Sequence, residues 1–211
     1  MILHGYWRSG ASYRVRIALN LKGVAYDQAA HDLRRGEQKG AAYLALNPQG
    51  LVPALEVDGQ VLIQSPAILE WLEETHAQPA LLPDGAGDRA TVRAMAALIG
   101  CDIHPLNNLR VLTSLRRDFE ADPAAVDAWA ARWITPGFDA LQVLVGRHGA
   151  GWCFGDAPTL ADCYLIPQLY SARRFNLDLA PWPTLLAVEE KALAHPAFAA
   201  AHPDRQPDAD A

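Results

Sequence analysis

The chain has 211 residues, 51% of them hydrophobic and 20% charged, which is enough apolar material for one large core or two modest ones. Its formal net charge of −6 opposes attraction to nucleic-acid phosphates and anionic lipid, which both reward excess Lys and Arg, so neither nucleic acid nor membrane is expected as a partner. Apolar stretches such as Ala94 to Ile99 fall far short of the roughly 20 residues a bilayer span needs. Met1-Ile-Leu-His lacks a basic leader ahead of an apolar block, so a cytoplasmic location is expected. Cys101, Cys153 and Cys163 are odd in number and show no CxxC spacing; they are read as reduced, with neither a disulfide framework nor a metal site.

Ile2 to Tyr6 reads as a first strand. Tyr13, Ile17, Ala18 and Leu21 then recur at helical spacing, with Gly23 as the stop. Ala25 to Ala30 is a second strand. Ala54 to Val57 and Val61 to Ile63, joined around Asp58-Gly59, carry the strongest hairpin signal in the chain. Ser65 is expected to cap a helix running to about Thr75, with Pro66 suited to its first position. Strand, helix, strand, helix, hairpin, helix is the thioredoxin-like order. The segment from Gln78 to Gly87, rich in Pro, Gly and Asp, reads as a linker between domains 1–81 and 87–211. Beyond it no strand is expected. Asp88 to about Phe119 is a long helical pattern with a bend near His104-Pro105, and Asp122-Pro123 opens another helix through at least Leu144. Thr159-Leu-Ala-Asp162 has capping-box spacing ahead of an apolar helix. Pro181 to Leu193 forms a last helix, and the tail from His202 is read as polar and irregular.

Three segments could carry chemistry. Arg8-Ser-Gly-Ala-Ser-Tyr-Arg-Val-Arg16 lies between the first strand and the first helix, so its hydroxyls and N–H groups face whatever sits at that helix N-terminus, where an anion is favoured. An isolated Ser at such a place most often simply caps the helix. Asn47-Pro-Gln-Gly-Leu-Val-Pro53 leads into the hairpin, and its Val-Pro is a candidate cis peptide that leaves the Val backbone open to a ligand. Gln64-Ser65 offers an amide and a hydroxyl at the next helix N-terminus, a seat for a carboxylate.

These pieces, in this order, resemble the glutathione site of the glutathione transferase superfamily. Arg8-Ser9 with Tyr13-Arg-Val-Arg-Ile-Ala-Leu19, Asn47-Pro-Gln-Gly-Leu-Val-Pro-Ala54, Gln64-Ser65, Asp102-Ile-His-Pro-Leu-Asn-Asn-Leu-Arg110, Ala172-Arg-Arg-Phe175 and Arg205-Gln-Pro-Asp208 resemble the zeta class, which includes maleylacetoacetate and maleylpyruvate isomerases. The resemblance spans Leu3 to Asp208. It implies an α/β thioredoxin-like domain followed by an all-α domain, glutathione as cofactor, and cis-trans isomerisation of a small maleyl-keto diacid. It further implies that Ser9 and the following backbone, Gly10, Ala11 and Ser12, seat the glutathione sulfur, and that Gln38, Val52, Pro53, Gln64 and Ser65 hold the tripeptide. By the same resemblance His104, Asn108 and Arg110 close the site from the helical domain, and Arg174, assisted by Arg8 and Arg110, binds substrate carboxylate. Asp102 would reach glutathione in the opposite subunit of a homodimer. Ser9, Arg8 and Arg174 would then be the catalytic set. One departure is Ala11, where many family members have Cys, with Gly10 ahead of it.

The same scaffold also serves detoxifying transferases and dehalogenases, and it could persist as a binding module without thiol activation. Three candidate arginines favour an anionic substrate over an apolar electrophile, and Ser9, Gln64 and Ser65 argue against loss of the thiol seat.

Overall fold

The computed structural model describes residues 1–210. By its contacts the chain forms two compact units, one comprising Met1–Ala80 with the residues from Ala194 on, the other Leu81–Leu193.

In the first unit the elements run β1 (Ile2–Gly5), α1 (Gly10–Leu21), β2 (Asp27–Ala30), a 3₁₀ turn (Glu37–Lys39), α2 (Ala41–Leu46), β3 (Ala54–Val57), β4 (Gln60–Ile63) and α3 (Ser65–Thr75). The sheet order is β2-β1-β3-β4, with β1 and β2 parallel and the other two pairings antiparallel. This is the expected thioredoxin-like arrangement. Leu3 and Leu55 from the sheet meet Ile17 and Leu19 of α1 and Ile68 and Leu72 of α3 in the core. Asp58 and Gly59 take positive φ in the β3–β4 turn, as a type I′ connection demands. Gly23, at φ 64, ends α1 where a side chain would be strained.

The first unit also contains what sequence reading assigned to the helical domain or left irregular. Helix α9 (Pro196–Ala201) and a 3₁₀ turn (Pro203–Arg205) pack on the β1–α1 face. Arg16, 1% exposed, donates from Nε to the Ala201 carbonyl at 3.0 Å, and the Asn20 amide donates to the Ala197 carbonyl at 3.0 Å. By contacts these last residues group with the first unit, whereas sequence reading placed them in the segment 87–211. Their backbone carbonyls accept from the Arg16 and Asn20 side chains of α1, a relation that no local pattern reports.

The second unit begins with α4 (Ala86–Ala97) and also contains α5 (Leu109–Asp118), α6 (Pro123–His148), α7 (Leu160–Arg174) and α8 (Pro183–Ala194). The long helix expected over 88–119 is interrupted by a π-helical segment (Leu98–Ile103) and a 3₁₀ turn (His104–Asn107). Pro105 cannot donate to the ladder, and the Asn108 side chain accepts the Val111 N–H and so starts a new helix. Gly100 tightens the same place, because a Cβ there would stand 2.9 Å from the Tyr164 ring. Pro136 and Pro167 are tolerated inside α6 and α7. The core includes Met95, Ile99, Ile134, Phe138, Leu165 and Leu185.

The Thr159–Asp162 capping box is present in full, with the fully buried Asp162 carboxylate accepting from Thr159 N at 2.7 Å, Thr159 Oγ1 at 2.8 Å and Cys153 N at 2.8 Å. The three cysteines are unbridged. Burial pushes the Asp162 carboxyl up, while the Cys153 and Thr159 donors pull the other way. Asp162→Ala leaves those buried donors without an acceptor, and a loss of about 3 kcal/mol is expected in urea unfolding, with unchanged secondary structure at zero denaturant.

Candidate active site

Sheet register brings the three chemistry-bearing segments of the first unit to one end of the sheet. His4 pairs with Ala54, and Ala54 pairs with Ile63. The residues after β1, before β3 and after β4 are therefore neighbours. Ser9, Val52-Pro53 and Gln64-Ser65 belong to those three segments.

Ser9 is the N-cap of α1, and its Oγ accepts the Ser12 N–H at 3.2 Å. The hydroxyl's own proton stays available for a second partner, because a serine hydroxyl is at once donor and acceptor. No acidic side chain of α1 itself stands in its first turn, so none of the helix's own residues offsets the positive end of its dipole. Gly10 and Ala11 are the first two helical residues. Ser12 is fully buried, and its Oγ would lie 3.2 Å from a Cβ on Gly5, so that hydroxyl faces the strand. Arg8 is part-exposed and lies over the Trp7 ring, 5.3 Å from its centroid.

The Val52–Pro53 bond is cis. The loop ahead of it is held by two donors to one carbonyl, the Tyr43 hydroxyl and the Asn47 amide, each 2.7 Å from Leu51 O, while Asn47 Oδ1 accepts the Gln49 N–H at 3.0 Å. Burial, partly offset by Asn47, pushes the Tyr43 hydroxyl up to about 12, so it remains a donor at neutral pH. Gln38, on the short 3₁₀ turn, lies under this loop and is 9% exposed, with Oε1 unpartnered among the described residues.

Gln64, not Ser65, is the N-cap of α3; Ser65 is its first helical residue and Pro66 its second. The cap has φ 70 and makes no side-chain capping bond, so no side chain of the cap occupies the first N–H groups of the helix. The Gln64 amide instead donates to the Gln49 side chain of the neighbouring loop. Beneath it, the buried Arg14 guanidinium donates to Ser65 Oγ at 3.4 Å. Arg14 was not singled out from the sequence. Its signal is two arginines two residues apart, Arg14 and Arg16, in an otherwise apolar helix.

In the second unit, Asp102 ends up exposed in the π-helical segment, His104 opens the 3₁₀ turn, Asn108 is the N-cap of α5 and Arg110 is exposed in its first turn. Arg173 and Arg174 close α7 and are both exposed. Arg173 is bidentate to Glu189 of α8, which raises its pKa.

Gly50 carries a testable geometric demand, since its φ is 62 and a Cβ would approach Gln38 O, Leu44 Cδ2 and Lys39 Nζ to 3.0 Å each. Gly50→Ala is expected to cost about 1 to 3 kcal/mol in thermal unfolding through backbone strain and crowding.

Residues 8–75 match the family model of the glutathione S-transferase N-terminal domain. The chain is 54% identical to the maleylacetoacetate isomerase of Pseudomonas aeruginosa, with all of both chains covered. It is also 54% identical, at a TM-score of 0.98 over the whole of both chains, to a maleyl pyruvate isomerase solved in its holo form and described as a bacterial glutathione S-transferase of the zeta class. The maleylacetoacetate isomerase of Anaeromyxobacter dehalogenans, solved with glutathione bound in its active site, is 50% identical, at a TM-score of 0.89 over 99% of this chain and 97% of that one. With identity of this order along its whole length, and with the Ser9, cis-Pro53 and Gln64-Ser65 segments gathered at one end of a thioredoxin-like sheet, the chain belongs to the zeta class of the glutathione transferase family.

Proposed function

We propose that this protein is a glutathione-dependent cis-trans isomerase that converts a maleyl-keto acid, maleylpyruvate or maleylacetoacetate, to its fumaryl isomer. The feature that supports the reading is the pair of helix N-termini that start from one end of the sheet, each of which suits an anion. One is capped by Ser9 with its hydroxyl proton unspent; the other is uncapped by any side chain.

The first unit fits glutathione on its own chemistry. The uncapped N-terminus of α3, with Ser65 and the Arg14 charge beneath it, suits a carboxylate. Gln38 presents a buried, unpartnered amide oxygen, which suits an N–H donor of the tripeptide. The cis Val52–Pro53 step sets the Val52 backbone beside them for peptide pairing. When bound, glutathione supplies a thiolate that adds to the conjugated double bond, so that the bond can rotate, and then leaves with the double bond restored.

The chain's own residues make that thiolate and hold the diacid. The Ser9 hydroxyl and the α1 N-terminus favour the ionised sulfur, and lowering a thiol pKa from about 8.5 to about 7 raises its ionised share at pH 7 roughly fifteenfold. Ala11, in place of a Cys, leaves this chemistry intact, because the reacting thiol is that of glutathione. Arg174, Arg8 and Arg110 are assigned to the substrate's carboxylates and to charge that develops on its keto oxygen, with guanidinium forks that match carboxylate geometry. His104 and Asn108 are assigned to glutathione contact, and Asp102 to the glutathione of the opposite subunit in a homodimer. No helix of the described residues is long and apolar enough to cross a membrane, in keeping with a proposed cytoplasmic setting.

Purified protein mixed with each maleyl acid, with and without glutathione, tests the reading. Loss of the maleyl chromophore and appearance of the fumaryl product only when glutathione is present is the expected result; no turnover of either acid overturns it. The ratio of the two kcat/KM values names the substrate, a distinction worth about 1 to 3 kcal/mol for a short extension in a pocket. Arg174→Ala is expected to raise KM for the diacid about 10- to 100-fold while glutathione affinity stays unchanged, because loss of a charged hydrogen-bond partner costs about 1.5 to 3 kcal/mol. For Ser9→Ala the expected loss is mainly in kcat, with a raised pKa of the bound thiol read by ultraviolet titration of the complex.

A further inference from the structure

We infer that Asp208 and Arg16 are positioning residues for Ser9, clamping the backbone of the Tyr6–Ser9 turn and tying it to the C-terminal segment of the chain. This rests on the reading that Ser9 seats the glutathione sulfur. The turn between β1 and α1 closes with a single bond of its own, Ser9 N–H to Tyr6 O at 3.0 Å. Two further backbone groups of the turn are met from outside. The Trp7 N–H donates to Asp208 Oδ2 at 2.9 Å, across 201 positions of sequence, and the Trp7 carbonyl accepts from Arg16 Nη2 at 2.9 Å. Arg16 Nη1 also reaches Tyr6 O at 3.5 Å, and its Nε holds Ala201 O at 3.0 Å. A buried guanidinium is tolerated only where acceptors surround it, so these carbonyls fix Arg16, and Arg16 in turn fixes them.

Asp208 is itself held in place from both sides. Two residues before it, the Gln206 amide donates to Ala200 O at 3.0 Å and His202 O at 2.7 Å, while its oxygen accepts from Gln28 at 3.0 Å. Two residues after it, Asp210 pairs with Arg34, whose guanidinium lies over the Tyr6 ring at 5.8 Å. The carboxylate is thus a fixed acceptor for a turn whose next residues are Arg8 and Ser9. Since displacement of a reacting group by about 1 Å can cost two orders of magnitude in rate, a clamp at Trp7 acts on chemistry it does not touch. Its charge works the other way, because an anion near the α1 N-terminus competes with the thiolate for the same positive dipole. The inference assigns Asp208 its role through the hydrogen bond, and an amide preserves that bond while removing the charge.

The test compares Asp208→Ala, Asp208→Asn and Ser9→Ala in the full chain, by steady-state kinetics with glutathione and the maleyl acid, thiol titration of the glutathione complex, and thermal unfolding. Asp208→Ala is expected to lower kcat about tenfold and raise the bound thiol pKa, with KM for the diacid unchanged, as loss of one charged acceptor would do. Asp208→Asn is expected to recover most of that loss. A lowered Tm with unchanged kcat and thiol pKa would make Asp208 structural only and overturn the inference, and so would an Asn variant as impaired as the Ala one. If Asp208→Ala does not fold, Arg34→Gln, which releases the tail at Asp210, takes its place with the same pattern at smaller amplitude expected; unchanged kcat and thiol pKa there overturn the inference. Ser9→Ala separates the two levels. An unmoved thiol pKa in that variant removes the Ser9 assignment and the inference with it, whereas a moved one beside an unmoved Asp208→Ala removes the inference alone.

Discussion

The pairing of His4 with Ala54 and of Ala54 with Ile63 is the constraint on which the first unit depends. Side chains alternate across a strand, so a slip of one residue in either pairing would turn Leu3 and Leu55 out of the core and carry the following loops off their places. In register, the strands deliver three loops to the same sheet end. Two helices start from that end, and the buried Arg14 connects them through Ser65. The proposed glutathione seat is therefore a product of strand pairing first and of side-chain chemistry second.

The first unit buries positive charge along one helix of an acidic protein. Arg14, Arg16 and Lys22 are each at least nine-tenths buried along α1, although the chain as a whole carries a net charge of −6. Lys22 is matched by Glu73 and by the carbonyls of His76 and Pro79, so it stabilises the end of α3. Arg16 is set on carbonyls around the Tyr6–Ser9 turn and on Ala201. Buried cations on backbone acceptors cost desolvation that only a well-fixed network offsets. Such a network is also rigid, which suits a site where a thiolate must be presented in one orientation.

Much of the first unit was legible because its signals are local. The Asp58-Gly59 turn, Gly23, the Val52-Pro53 step and Ser9 before α1 each express a backbone requirement within a few residues. The capping box at Thr159 was legible for the same reason. Where sequence reading erred, a competing local option was equally sound. Ser65 is as good a cap as any, but β4 ends so that Gln64 takes φ 70 and Ser65 becomes the first helical residue. The burial of the Ser12 hydroxyl against Gly5, one helical step beyond Ala11, is a tertiary placement that no local signal reports, and it leaves the reading of the backbone after Ser9 untouched.

The sequence by itself determined the order of elements in the first unit up to α3, the family and the helix starts that can hold an anion, because these follow from periodicity, turn chemistry and motif spacing. Tertiary structure decided the rest. It broke the helix expected over 88–119 where Gly100 meets Tyr164 and Pro105 withdraws a donor, and it placed Glu189 beside Arg173. It also returned the C-terminal residues to the first unit, where Gln206, Asp208 and Asp210 find partners up to 201 positions away. A hydrogen bond between residues so distant leaves no periodic trace in the chain. It exists only once the core has folded and brought the two segments within three ångströms of each other.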